Sequence, residues 1–434
     1  MIAPASSRVA RALVVAVCLL AGAPARAHAP PYATDIRWIG EPEATQVVVR
    51  TNRGLIVGDS ASQRFRLVCN DAFRAALVEV VPTAGLPDGG LLVGTYAAGL
   101  LRSDPTFCDF EPVGPERMSP IDVKSDLEGN ARALLLPLDG SDGSLFESND
   151  GAASFRALSP VGTAPTAYVS APSNSQRVYV STNTTSGNSS TGHLLSSDDG
   201  GKQFTDRVLE LDGSELRAFV LAVDPEDSER VFVRTQSRDG LTPERLLRSE
   251  DGGQTFRTVL RAEGPLTVVL AGGGTVWAGS ATGLYRSRDS GATFEPSTDN
   301  GLVRISCLAV RAGELYACAL NGLEFGVLVS KDDGATFDWF LRFPQVTARA
   351  ECSPTSDEGA RCAAAFEDWS LEQLVPAGDA GSFGGGELPS AETPRDEPAG
   401  GCRLGKPGER ASGLWFLALL GLARYRRRAR AAHA

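Results

Sequence analysis

Apolar residues along most of this chain fall in short runs, alternating with polar ones or closed by Gly, Asp and Ser. Paired runs such as "VVVRTNRGLIV", "LLVGTYAAGLLRS", "ALLLPLDGSDGSLFES" and "VWAGSATGLYRS" show the pattern. A period of two with turn residues between runs predicts β-strands joined by tight connections. After several of these pairs comes one octapeptide: "SDDGGKQF" at Ser197–Phe204, "SEDGGQTF" at Ser249–Phe256, "SRDSGATF" at Ser287–Phe294 and "SKDDGATF" at Ser330–Phe337. Each fits S-x-D-x-G-x-(T or Q)-F. A repeat at this scale sets the architecture before any other signal.

Weaker copies follow once the register is known. Ser148, Asp150, Ser154 and Phe155 keep the frame, with Ala152 in place of the glycine. Ser103 and Phe110 bracket a copy in which Pro105 and Phe107 replace the aspartate and glycine, and Ser60, Ser62 and Phe65 keep only an outline. The seven closing phenylalanines are spaced 38 to 52 residues apart, the period of a propeller blade. With one further strand upstream in each unit, the chain reads as all-β: a β-propeller of four-stranded antiparallel blades, the octapeptide turning strand three into strand four. In that turn Ser and Asp bond neighbouring backbone groups, Gly supplies a positive φ and Phe anchors the next strand. Asp150, Asp199, Asp251, Asp289 and Asp332 are thus structural; a calcium loop would need more ligands at another spacing.

Both ends stand apart from the repeats. Residues 1–27 have two early arginines, the apolar run "ALVVAVCLLAGA" and a small-x-small site at Ala25 and Ala27, the layout of a secretory signal. Residues 377–401 are rich in Gly, Pro and acid and read as a flexible linker. Residues 402–434 run from Cys402 through the short apolar stretch Leu414–Ala423, a candidate membrane-inserted helix, to an Arg cluster expected to stay cytoplasmic. The propeller is assigned to residues 28–376. Three basic residues precede residue 28, and eight basic against one acidic follow residue 402; removing them from the whole-chain charge of −11 leaves −21 for residues 28–402. A body so acidic repels nucleic-acid backbones.

Setting aside Cys18 and Cys402 leaves six cysteines, an even number in an exported chain. Cys307 and Cys318 fall in the first two strands of the seventh unit, and Cys352 and Cys362 follow one period later. The segments "VTARAEC" and "RCAAAFEDWSLEQLV" therefore read as a degenerate eighth unit without a box. Adjacent strands predict the pairs Cys307–Cys318 and Cys352–Cys362, leaving Cys69 with Cys108.

The octapeptides resemble the Asp-box, or BNR, repeat of sialidases, some endoglucanases, Vps10-type receptors and photosystem II assembly factors, over about residues 35 to 345. That resemblance implies a propeller whose boxes lie on the periphery, away from any active site. The tail resembles the MYXO-CTERM sorting tag. It implies processing near Cys402, lipid attachment to that cysteine, and display on a Gram-negative outer surface or outer membrane, or release after processing.

Catalytic sets are sparse. His193 is the one histidine of the body and reads as a solvated surface residue, which leaves no His triad or multi-His metal centre. "AGGGT" at Ala271–Thr275 reads as a hairpin turn, and no cofactor is implied. The Phe/Tyr-Arg-Ile-Pro motif of sialidases is missing, while a paired carboxylate of glycosidase type is not identifiable among 53 acids. Trp38, Trp277, Trp339 and Trp369 suit sugar stacking or packing between blades, and Thr182–Gly192 is a polar insertion suited to a binding rim. The expectation is a surface module that binds or scaffolds an extracellular glycan or protein without catalysis. Its ends engage export and sorting machinery, and its tail the membrane. The alternatives are a sialidase-like or endoglucanase-like hydrolase and an assembly or adhesion factor. Replacing Cys402→Ala is expected to abolish lipid labelling and surface display; unchanged display on intact cells rejects the lipid attachment.

Overall fold

Strands with both faces covered have near-continuous apolar sequences, and the second strand of the first sheet shows why. In Gln46–Thr51, Val47 and Val49 point into one apolar cluster and Val48 into the next. The computed structural model describes residues 31–372 except 41–42, 76–80, 127–128, 188, 298–300 and 323. Within it, seven four-stranded antiparallel sheets follow one another at residues 33–69, 83–112, 118–162, 165–209, 215–262, 267–296 and 302–342, each with its strands in chain order. They are the blades of a seven-bladed β-propeller. First strands of neighbouring blades approach one another and form the inner wall. The signal, linker and sorting-tag assignments, with Cys402, lie outside the described residues. Among the described residues no helix is long and apolar enough to cross a membrane.

The core is divided rather than central. Seven apolar clusters occupy the seven interfaces between consecutive blades. Phe155, Phe204, Phe256, Phe294 and Phe337, which close their octapeptides, each pack against the cluster shared with the preceding blade.

The octapeptide turns have one geometry. In blade 7, Ser330 Oγ donates to Asp332 Oδ1 at 2.8 Å and accepts the Gly334 N–H at 2.8 Å. The Thr336 N–H reaches Asp332 Oδ1 at 2.9 Å, and Thr336 Oγ1 donates to Oδ2 at 2.6 Å. The same Ser–Asp bond and Ser–N–H bond recur at Ser148, Ser197, Ser249 and Ser287. In the two degenerate copies other aspartates take the role. Asp104 accepts the Cys108 N–H at 2.9 Å, and Asp59 accepts the Ser62 N–H at 2.6 Å. The motif glycine answers two demands. Gly334 has φ +77°, and a Cβ there would sit 2.7 Å from the Trp277 ring of the preceding blade. Ala152 holds the same left-handed conformation at φ 62°, which an L-residue tolerates at a cost.

The expected eighth unit is absent from the described residues. After blade 7 the chain makes a single parallel bridge, Arg349 to Leu67, on the outer strand of blade 1. It then forms two helices, α1 (Asp357–Arg361) and α2 (Ala363–Glu372). Ser356 caps α1, accepting the Gly359 N–H, and Asp357 and Glu358 occupy its first turn, where acids suit the helix dipole. The Ala-rich run after Cys362 favours helix over strand. The pairing of four cysteines is corrected with it. Cys307–Cys318 joins adjacent strands, but the other bonds are Cys69–Cys362 and Cys108–Cys352 rather than Cys69–Cys108 and Cys352–Cys362. The equal spacing reflected no repeat. The two cysteines of the C-terminal segment are carried back across blades 1 and 2.

This segment is a clasp over the ring junction. Phe343, Val346 and Trp369 join the cluster between blades 7 and 1, and Ala350 and Cys362 join that between blades 1 and 2. The Glu358 N–H reaches Cys108 O at 3.0 Å, and Asp357 Oδ2 accepts the Phe110 N–H at 3.2 Å. The Trp369 indole donates to Val346 O at 3.2 Å.

Thr336 and Ser330 hydrogen bonds hold the Asp332 carboxyl down at about 2; at Asp289, burial opposes the shift but bonds from Ser287 and Thr293 outweigh it, again giving about 2. A folded pKa below the unfolded value of about 3.9 stabilises the protein above that value, and the contribution disappears as pH falls toward 2. Asp332→Asn is therefore expected to melt a few degrees lower at neutral pH, with the gap to wild type shrinking between about pH 4 and 2 in calorimetry. The disulfide loops, separated by 293 and 244 residues, are nearly concentric. With either one intact, the other closes only a loop of about 50 residues, worth about 4 kcal/mol in the chain-entropy model; losing both should cost more than twice that. Urea unfolding of Cys→Ser variants tests this, and a variant lacking both bonds that unfolds no earlier than the singles contradicts it.

Candidate functional site

In every blade the connections from strand one to two and three to four lie on one face of the ring, here called the turn face. Hairpins between strands two and three lie on the opposite, hairpin face. Alternation along the inner strands sends one set of side chains between blades and the other toward the axis. On Ala33–Trp38 the axial set includes Asp35 and Arg37; on Met118–Ser125 it includes Asp122 and Lys124.

These charges are paired. Arg37 Nε donates to Asp35 Oδ2 at 2.6 Å. Arg50, from the second strand of blade 1, donates through Nε to Thr34 Oγ1 at 3.0 Å and through Nη1 to Val81 O of the next blade at 3.0 Å. Burial would raise the Asp35 pKa, but the Arg37 and Arg50 charges outweigh it and hold the carboxyl below its ordinary value. Lys124 pairs with Asp122 and donates to Tyr168 O at 2.6 Å. Asp35, ionised and tied to two guanidiniums, is unsuited to donating a proton.

A cavity of about 400 Å³ opens at the axial end of the turn face. The ends of four inner strands, from blades 1, 2, 3 and 7, supply its walls: Ile36 to Gly40, Gly85 to Pro87, Ser125 and Asp126, and Ala309 to Arg311. Arg311 lies over the Trp38 ring at 4.9 Å, and Trp38 meets Tyr316 edge-on at 4.6 Å. A larger groove of about 650 Å³ lies at the rim, between the octapeptide turns of blades 6 and 7. Its Asp289 and Asp332 are occupied within their own turns, and Arg286 bonds Asp333 at 2.7 Å. Of these two cavities the axial one draws on more of the ring, since four blades converge on it.

Buried glutamates on strands one and three of blade 5 are each held by a cation. Glu215 accepts Arg245 Nε at 2.6 Å and Nη2 at 2.5 Å, and Glu244 accepts Arg234 Nη1 at 2.9 Å. Burial raises the Glu244 pKa against the pull of Arg234. Their donors separate them: Glu244 takes the Leu266 N–H of blade 6, while Arg245, partner of Glu215, donates to Glu210 O of blade 4. The two glutamates pin different blade interfaces.

The hairpin face is otherwise built. The polar insertion at Thr182–Gly192 forms a ribbon from strands Asn174–Ser186 and Ser189–Ser197 of blade 4. Its tip reaches blade 5, where Arg238 Nη2 donates to Ser190 Oγ at 3.0 Å. His193, expected to be solvated, is 16% exposed and bridges Asp206 (Nδ1 to Oδ2, 3.0 Å) and Thr184 (Nε2 to Oγ1, 3.1 Å) across three strands. Hairpins of blades 2, 3 and 5 present Tyr96, Leu138 and Leu241, exposed by 67%, 44% and 80%. Nothing in the repeat pattern marked these residues. Their signal is a large apolar side chain placed between turn residues.

Asp150, Asp199, Asp251, Asp289 and Asp332 lie in the turn-face loops, each bonded within its own turn; of them only Asp289 and Asp332 share a groove, the one at the rim. Trp277 and Trp369 are buried and Trp339 packs beside blade 6, which leaves Trp38 at the axial cavity. Among the described residues no group of three or more His, Cys, Asp or Glu is placed to hold a metal ion. Ala271–Thr275 is a hairpin turn.

No protein-family model matches the chain, and no curated protein matches it in sequence. Solved structures share its fold. The GH74 xyloglucanase from Xanthomonas campestris superposes at TM-score 0.52 with 14% identity, over 72% of this chain and 55% of the enzyme. An ancestral GH74 enzyme gives 0.52 and 16%, over 73% and 47%. YCF48 from Cyanidioschyzon merolae gives 0.49 and 13%, over 69% and 95%. The chain thus spans about half the length of the GH74 enzymes it resembles, and at these identities the likeness is one of fold: the chain is similar to β-propellers.

Proposed function

We propose that this protein is an exported propeller that binds or scaffolds an extracellular glycan or protein on its hairpin face, without catalysis. The observation that carries this reading is the grouping of exposed Tyr96, Leu138 and Leu241 on the hairpins of blades 2, 3 and 5, beside the projecting ribbon of blade 4. Exposed apolar side chains next to a ribbon rich in Ser and Thr hydroxyls suit a partner with mixed polar and apolar surface. Three disulfides fit an oxidising compartment. On this reading the octapeptides are Asp boxes, and the two ends address the propeller to a bacterial outer surface.

The fold shared with two GH74 enzymes supports a second reading, a surface glycoside hydrolase. Against it stand the carboxylates Asp35, Asp122, Glu215 and Glu244, each engaged by a cation. A glycan array scored for both retention and released sugar separates the two. The expected result is retention without release, weakened about tenfold by Tyr96→Ala with Leu241→Ser. Free sugar in the same wells makes the protein a hydrolase.

A further inference from the structure

We propose that the axial cavity on the turn face binds a small organic carboxylate, with Arg37 as its receptor. Arg37 is oriented rather than loose: Asp35 holds its Nε at 2.6 Å. Its Nη1 and Nη2 have no partner among the described residues, although a third of the side chain is exposed and the remainder is enclosed by the channel wall. The other axial charges are engaged. Lys124 serves Asp122 and Tyr168 O, while Arg50 serves Thr34 and Val81 O. A planar fork, fixed at one edge and open at its end, matches the two oxygens of a carboxylate.

The remaining wall defines what the carboxylate is attached to. Trp38, stacked under Arg311, and Val310 are the partly exposed apolar side chains of the wall, while Ile36, Ile39 and Leu86 are buried between blades behind it. A volume of about 400 Å³ accommodates a group the size of an amino acid or monosaccharide. Phosphate is a poorer match. Its charge approaches −2, whereas Asp35, Asp122, Asp126 and Glu43 already offset the cations around Arg37 and Arg311. One negative charge suits the site; two would meet these carboxylates.

Calorimetric titration of the intact protein with D-glucuronate, N-acetylalanine, D-glucose and inorganic phosphate tests the assignment. One site with a Kd on the order of 1 mM is expected for at least one carboxylate, weaker binding for phosphate and none for glucose. The two carboxylates distinguish a uronic acid from a peptide-like source. Arg37→Lys keeps a cation beside Asp35 while removing the fork, and should weaken binding at least tenfold with the melting temperature preserved. Arg311→Gln, outside the Asp35 pair, should weaken it severalfold and serves if the first variant does not fold. Absence of saturable heat with both carboxylates, undiminished binding by both variants, or phosphate bound as tightly as carboxylate each overturns the proposal. The glycan array reads the opposite face, so either result can fail without the other.

Discussion

A blade in this molecule has two apolar faces, and neither can be left in water. Val47 and Val49 on one side of a strand and Val48 on the other make the requirement concrete. A row of such sheets always has two uncovered ends, so closing the ring is the condition on which every blade depends. Strand exchange between the first and last blades is one way to close a ring. Here each blade is built from four consecutive strands, and closure falls to the interface of blades 7 and 1 with the clasp laid over it. Trp369 and Phe343 pack where a ring would otherwise open, and the two long-range disulfides tie the chain beyond that junction to blades 1 and 2.

The octapeptide serves the same demand from the rim. Its aspartate gathers N–H groups that the turn leaves without strand partners, and its glycine lets backbone lie directly against the previous blade. The aspartate thereby fixes the local bend and the glycine the distance between sheets. Asp104 and Asp59 do this work where the motif has decayed, so the chemistry of the turn outlasts its spelling.

Strand number, blade period and the position of the turn between strands three and four were legible because each depends on neighbours in sequence. Cys307–Cys318 was legible for the same reason. The clasp was not: equal cysteine spacing suggested another sheet, while Ser356, two acids and an alanine run carried the helix signal. The contacts that decide the pairing, Cys69 to Cys362 and Cys108 to Cys352, cross most of the chain. The axial cavity was hidden for a related reason. Arg37, Pro87, Ser125 and Arg311 share no local pattern, and only ring closure brings them to one opening. His193 was read as solvated from the polar loop beside it, whereas its setting is made by residues on two flanking strands.

The route taken by the clasp also determines how the fold carries force. In a ring fastened only by packing, tension on the chain beyond blade 7 would peel that blade's outer strand first and unroll the sheets in order. Here the covalent path leaves α2 through Cys362 and enters the outer strand of blade 1 at Cys69, with a parallel branch from Cys352 to Cys108 in blade 2. A pull on the chain past Glu372 is therefore borne by the first blades, and blade 7 lies inside the loop, shielded from the load. Under tension applied at that end, this is the arrangement that keeps the ring shut.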